Sequence, residues 1–158
     1  LRGVPAFYLP AILASSNDIS NFRKTGQRRD LNRQKFDANK LASELSDPDS
    51  FSTRNLKYLN KAMKLRSGIS AFHPESPMKC LSADRSDCVI IERGLTGNNI
   101  YAIHNMTDST LELELSKDLK LINTPTSYYD CLNNIYYYCD QISFTPYKVA
   151  WITISESK

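Results

Sequence analysis

No apolar run in these 158 residues approaches the roughly 18 that a membrane-spanning helix needs, and the longest candidates are broken by charge or proline. The first residues do not read as a secretory leader either. Leu1 to Leu13 is apolar, but Pro5 and Pro10 interrupt it, and neither a basic start nor a small-residue cleavage site flanks it. Metal-ligand patterns are equally scarce. Cys80, Cys88, Cys131 and Cys139 stand in two pairs with seven residues between the members, not in short CxxC knuckles, and His73 and His104 lie elsewhere. These absences predict a cytoplasmic protein that uses no metal, no cofactor and no membrane, with its thiols reduced and mostly buried. Asn105-Met106-Thr107 fits a glycosylation sequon, a triplet that arises often by chance. The chain also begins at Leu1 rather than at a methionine, so an upstream part is expected.

What is present describes an ordinary folded protein, 41% hydrophobic and 23% charged. The charge is unevenly placed. Leu1 to Arg66 carries 13 Lys and Arg against 6 Asp and Glu, whereas the remainder carries 7 against 11. The net of +3 therefore conceals two segments of opposite sign, which suggests two roles.

Val4 to Leu9 is a short, continuously apolar run, the pattern of a strand buried on both faces of a parallel sheet. Ser15 to about Phe36 has no sustained period and reads as a loop, long enough to be functional. Asp37 is placed to cap a short helix carrying Leu41 and Leu45. Asp47-Pro48-Asp49 supplies the start of another, whose apolar side is Leu56, Leu59 and Met63, continuing to Arg66 and ending near Ser67-Gly68. After His73-Pro74 the period becomes two. Strands are predicted at Cys88 to Glu92 and Ile100 to His104, around a turn with Gly94, Gly97 and Asn98. Others are predicted at Thr110 to Leu115, Ile135 to Cys139, Gln141 to Phe144 and Val149 to Ile154. The order, a strand, a long loop, helices and then only strands, is an α/β unit joined to an antiparallel β-module.

Particular motifs sharpen this picture. Gly3-Val4-Pro5-Ala6-Phe7-Tyr8 resembles the eighth barrel strand of the α-amylase family, glycoside hydrolase family 13. Ser16-Asn17-Asp18 and Lys24-Thr25-Gly26-Gln27-Arg28-Arg29-Asp30-Leu31-Asn32-Arg33 resemble the loop that follows it in the sucrose phosphorylase subfamily. Thr25-Gly26, Asn32-Arg33 with Lys35, Asp47-Pro48-Asp49-Ser50 and Ala71-Phe72-His73-Pro74 are similar to its glucosylglycerate phosphorylase branch. Tyr129-Asp130-Cys131-Leu132 and Phe144-Thr145-Pro146-Tyr147-Lys148-Val149-Ala150-Trp151 are similar to the closing strands of the family's C-terminal β-domain.

The resemblance implies an α+β fragment. Residues 1–74 would be the last strand, loop and helix of a (β/α)8 TIM barrel, and residues 75–158 an antiparallel C-terminal β-domain. It also implies a retaining glucosyl-transferring phosphorylase acting on sucrose or glucosylglycerate. In such enzymes one carboxylate attacks the anomeric carbon, a second protonates the leaving oxygen, and inorganic phosphate takes up the glucosyl group. The family's catalytic carboxylates follow earlier strands, so no catalytic residue is expected here and the chain alone should be inactive. Its implied partners are the sugar, inorganic phosphate and the remainder of the barrel. Barrel sites lie on the loops after the strands, so the loop after strand eight still contributes binding groups. By this resemblance Arg29 lines the glucosyl subsite, and Asp18, Asp30, Asn32 and Arg33 occupy matching positions without assigned roles. Arg28 departs from the small or polar residue of the sucrose phosphorylases, which leaves donor and acceptor open.

Plainer accounts compete with several of these features. Arg23, Lys24, Arg28, Arg29, Arg33 and Lys35 also suit a solvated loop or a nucleic-acid patch, but the net acidic β-part does not continue a basic face, so nucleic acid is not the expected partner. His73 and His104 read as capping or packing residues and Trp151 as core. The tyrosines at 128, 129 and 136–138 suit either half-buried sheet positions or a surface on which sugars stack. A stand-alone carbohydrate- or nucleic-acid-binding module without catalysis is the alternative to the phosphorylase fragment.

Overall fold

A computed structural model describes residues 4–82 and 84–155. They fall into two compact units, residues 4–64 and residues 65–155.

The first unit is helical. Its helices are α1 (Leu9–Ile12), α2 (Ile19–Thr25), α3 (Ala38–Ser46) and the start of α4 (Phe51–Gly68), with a 3-10 segment at Arg28–Asn32. The Asp37 side chain accepts the Lys40 N–H at 2.9 Å and caps α3, as expected from its position. At α4 the cap lies further along than Asp47. The Asp47 carboxylate takes the Asp49 N–H in a turn, and Ser50 Oγ accepts the Thr53 N–H at 3.1 Å. The buried residues of α4 are polar. Ser52 Oγ donates to Leu13 O at 2.8 Å, Thr53 Oγ1 donates to Glu44 O at 3.2 Å, and Asn55 Nδ2 donates to Ile12 O at 2.7 Å. Side-chain hydrogen bonds thus tie α1 and α3 to α4, while Leu56 and Leu59 are only half-buried and Met63 is exposed.

Two expectations need correction in this unit. Val4 to Leu9 is not a strand: residues 4–8 have no regular structure, and Leu9 opens α1. A parallel strand exists only by pairing with neighbours, and no described strand pairs with this run. Val4 is 82% exposed, and Phe7, Tyr8 and Leu9 are exposed as well. The stretch from Ser15 to Phe36 is not wholly irregular, because α2 and the 3-10 segment lie within it. Elements of seven and five residues are too short to show an apolar stripe.

The second unit is built on antiparallel sheets. Its strands are β1 (Met78–Cys80), β2 (Cys88–Arg93), β3 (Ile100–Asn105), β4 (Leu111–Glu114), β5 (Ser127–Asp130), β6 (Ile135–Tyr137), β7 (Gln141–Phe144) and β8 (Val149–Ser155). The large sheet runs β1-β2-β3-β8-β5-β6, and β4 pairs with β7 in a second sheet. A short helix, α5 (Leu115–Asp118), follows β4. Period two is visible in β4, where Leu111 and Leu113 are buried and Glu112 and Glu114 exposed. Ile90, Ile103 and Ile152 of the large sheet share one core with Leu113, Leu115 and Phe144, each side chain contributing about 1.5–3 kcal/mol by leaving water. On the opposite face Ala71, Phe72 and Ile100 form a smaller cluster, and half-buried Trp151 packs on Phe72 with ring centroids 4.6 Å apart. The β2–β3 turn requires glycine at 94, whose φ is +103°. A Cβ there would lie 2.5 Å from Asn98 O and 2.9 Å from Ala71 Cβ.

All four cysteines are free, but only Cys88 is buried, its thiol pushed up to about 11 by loss of water. Cys80 and Cys139 face solvent, because β1 is an exposed edge strand and Cys139 lies beyond the end of β6. Asn105 is buried, and its Nδ2 donates to the carbonyls of Ser109, Phe144 and Thr145, so the sequon there offers no free acceptor.

Arg85 bridges Asp87 and Asp118 at 2.8 Å each. Its hydrogen bond holds the Asp87 carboxyl at about 2, below the ordinary 3.8. A depressed carboxyl stabilises the fold above its unfolded value and ceases to do so as pH falls through its folded value. Urea midpoints are therefore expected to drop between about pH 4 and pH 2, and Arg85→Ala to drop less over that interval. Equal losses in both chains would refute this role for the pair.

Candidate functional site

The expected binding residues lie on one folded loop of the first unit. It begins at Asp18, whose carboxylate accepts the Asn21 N–H and the Ser20 hydroxyl, both at 2.9 Å, and so caps α2. The Asn21 N–H first, then the Ser20 hydroxyl, hold this carboxyl below its usual range. The backbone N–H of Asp18 donates to Leu31 O at 2.7 Å, closing the loop on itself. Helix α2 ends at Gly26, whose φ of +66° is the left-handed turn a C-cap demands. Thr25 then clamps the return. Its Oγ1 donates to Asp30 Oδ2 at 2.6 Å and accepts the Gln27 N–H at 3.2 Å.

This geometry separates the candidates. Asp18 and Asp30 spend their carboxylates on the loop's own backbone and side chains. Arg29, Asn32 and Arg33 are exposed on the 3-10 segment or at its end. Among the described residues, none of their side chains makes a hydrogen bond or ion pair. A guanidinium held on a braced loop presents five donors in a fixed fork, the arrangement that suits sugar hydroxyls, carboxylates or phosphate. Arg28, the first residue of the 3-10 segment, is exposed beside it.

Thr25 is the residue whose importance pattern reading underestimated. It stood in the Thr25-Gly26 motif without a role, and its spacing of five from Asp30 carries no familiar signature. No group of three or more His, Cys, Asp or Glu side chains that could hold a metal occurs among the described residues. No helix among them is long and apolar enough to cross a membrane.

No protein-family model matches the chain. Curated relatives do. It is 26% identical to the glucosylglycerate phosphorylase of Escherichia coli strain K12 over 151 residues, 95% of this chain and 25% of that protein. It is 32% identical to the glucosylglycerate phosphorylase of Allomeiothermus silvanus over 68% of this chain and 19% of that protein. The chain thus spans a quarter or less of the relatives it matches. Among solved structures, AmyP in complex with maltose superimposes on 68% of the chain, with a TM-score of 0.55 and 18% identity, over 22% of its own length. The trehalulose synthase MutB of Pseudomonas mesoacidophila MX-45 superimposes on 72%, with a TM-score of 0.52 and 12% identity, over 19% of its length. At those identities the fold alone is shared: a small α+β unit with mostly antiparallel sheets, like the C-terminal regions of such enzymes.

Proposed function

We propose that this chain, a homologue of the glucosylglycerate phosphorylases of the α-amylase family, is the C-terminal part of a retaining phosphorylase that transfers glucose between glucosylglycerate or sucrose and inorganic phosphate. The observation that carries the reading is similarity over up to 95% of the chain, including the loop bearing Arg29. In this reading residues 1–74 complete the catalytic barrel and residues 75–158 form the C-terminal β-domain. Arg29 binds the glucosyl unit or holds a carboxylate of a neighbouring loop. Asn32 and Arg33 extend the binding edge, and Asp18 and Asp30 keep the loop in shape. The enzyme works in the cytoplasm, on sugar and phosphate, in carbohydrate metabolism.

Chemistry by this chain alone has no route in that mechanism. A glycosyl-enzyme intermediate needs a nucleophile and an acid/base on opposite sides of the sugar, about 5 Å apart in retaining enzymes. The two acids of the loop are both engaged in hydrogen bonds within it. The purified chain is therefore expected to release neither fructose from sucrose nor glycerate from glucosylglycerate when phosphate is added. The same chain joined in frame to a barrel carrying the carboxylates is expected to do so. Turnover by the chain alone, or none by the joined protein with either sugar, would overturn the proposal.

A further inference from the structure

The rim of the large sheet carries a feature that the phosphorylase reading leaves unused. Among the described residues strand β6 is an edge strand, paired only with β5, and Tyr136 stands directly across from Tyr129. Their rings stack with centroids 4.6 Å apart and planes 28° from parallel. Tyr138, just past the strand, continues the stack on Tyr136 at 6.2 Å and 15°. Half-buried sheet tyrosines would be covered. Here Tyr136 is 54% exposed and Tyr138 is 78% exposed. The Tyr129 hydroxyl donates to Asn134 Oδ1 at 2.9 Å, so the innermost ring is pinned and the outer two rest on it.

The register identifies the neighbours on this face. Tyr129 pairs with Thr153, and Ser127 lies two residues before Tyr129 on the same side of the pleat. Every one of these side chains is neutral and bears a hydroxyl. Among these described residues, flat rings and hydroxyls offer neither the cations that a phosphate backbone requires nor the ionic anchors that a charged peptide uses. They do suit a sugar ring, whose C–H face packs on an aromatic plane while its rim hydrogen-bonds to hydroxyls and amides. The rings' fixed planes also reduce the ordering cost of binding.

We propose that Tyr129, Tyr136 and Tyr138 form a binding platform for a neutral oligosaccharide, built from residues other than those of the Arg29 loop. It holds sugar without acting on it. It does not depend on the phosphorylase reading, so either can fail alone.

The test is affinity electrophoresis of the full chain through gels containing soluble starch, with dextran and a cellulose derivative as comparison glucans. Retardation by at least one glucan is expected, unaffected by 0.5 M salt. Tyr138→Ala and Tyr136→Ala should each weaken it about tenfold, the effect of losing one stacking ring, while Tyr138→Phe retains it. Both positions are exposed, and unchanged circular dichroism and urea midpoint would show that the variants fold. Leu95→Ala, at an exposed position of the β2–β3 turn, should leave retardation unchanged. No retardation in any glucan would overturn the proposal, as would retardation that survives both alanine variants. Concentration-dependent dimerisation lost in Tyr136→Ala, without glucan binding, would also overturn it by assigning the stack to contact between copies of this chain.

Discussion

Asp130→Ala is expected to destabilise the β-unit by about 3–5 kcal/mol, the largest stability loss from one substitution on the exposed-to-buried scale of this chain's acids. Asp130 ends β5 and is 0% exposed. Its Oδ1 accepts the N–H groups of Leu132 and Asn133 at 3.2 Å and of Trp151 at 3.1 Å. Its Oδ2 accepts Asn133 Nδ2 at 2.6 Å, and that amide also donates to Val149 O at 2.8 Å. One carboxylate therefore satisfies the turn after β5 and a backbone donor of β8. Alanine would leave three backbone N–H groups without this partner, that of Leu132 in a buried contact and those of Asn133 and Trp151 in half-buried ones, each costing about 1–3 kcal/mol. Against a total stability of roughly 5–15 kcal/mol for a domain, that is a large part of the margin. Urea unfolding should show a lower midpoint with an unchanged slope. Asp130→Asn should lose less, because one oxygen still accepts. A loss below about 1 kcal/mol for alanine would show that the turn finds other donors and acceptors.

That carboxylate marks where pattern reading stops. Tyr129-Asp130-Cys131-Leu132 stands out in the sequence as a tail motif, but an acid after two tyrosines looks like the solvent end of a strand. Its burial follows from β8 coming alongside, a contact between residues some twenty positions apart. Strands with one wet face were legible. Leu111 and Leu113 alternate with Glu112 and Glu114, and Gln141 to Phe144 forms its strand where expected. β1 lies outside the expected strands because three residues are too few to show a period, and β5 is marked only by the resemblance at Tyr129-Asp130-Cys131-Leu132, since Ser-Tyr-Tyr-Asp shows no apolar alternation. Val4 to Leu9 was misjudged for another reason. An apolar run encodes an appetite for burial but not the partner that satisfies it. In the loop, the cap at Asp18 and the glycine at 26 bracket α2 in the sequence itself, yet seven residues between them showed no period. Residue order around Arg29 suggested a site. That Asp18 and Asp30 brace it from within appeared only in the folded loop.

In the parent phosphorylase proposed above, Arg29→Ala is expected to lower kcat/KM about a hundredfold. Arg29 is exposed on the 3-10 segment, and its side chain holds nothing else in place among the described residues. Folding should therefore be indifferent to its removal, and the unfolding free energy from urea titration should stay within about 0.5 kcal/mol of the parent's. The expected loss is a binding term. A hydrogen bond to a charged group contributes about 1.5–3 kcal/mol, and each 1.4 kcal/mol is a factor of ten, so a single bidentate contact accounts for one to two decades. Arg29→Lys keeps the charge but not the planar fork, and should recover only part of the loss. The split between constants assigns the role. A fall in kcat at constant KM means that the contact tightens as charge develops on the sugar, whereas a rise in KM alone means that it binds substrate and transition state equally. Thr25→Val, which removes the clamp on Asp30 without touching Arg29, should give a smaller loss of the same kind, because a loosened loop holds the guanidinium less often in register. A kcat/KM unchanged in Arg29→Ala would remove this loop from the sugar site.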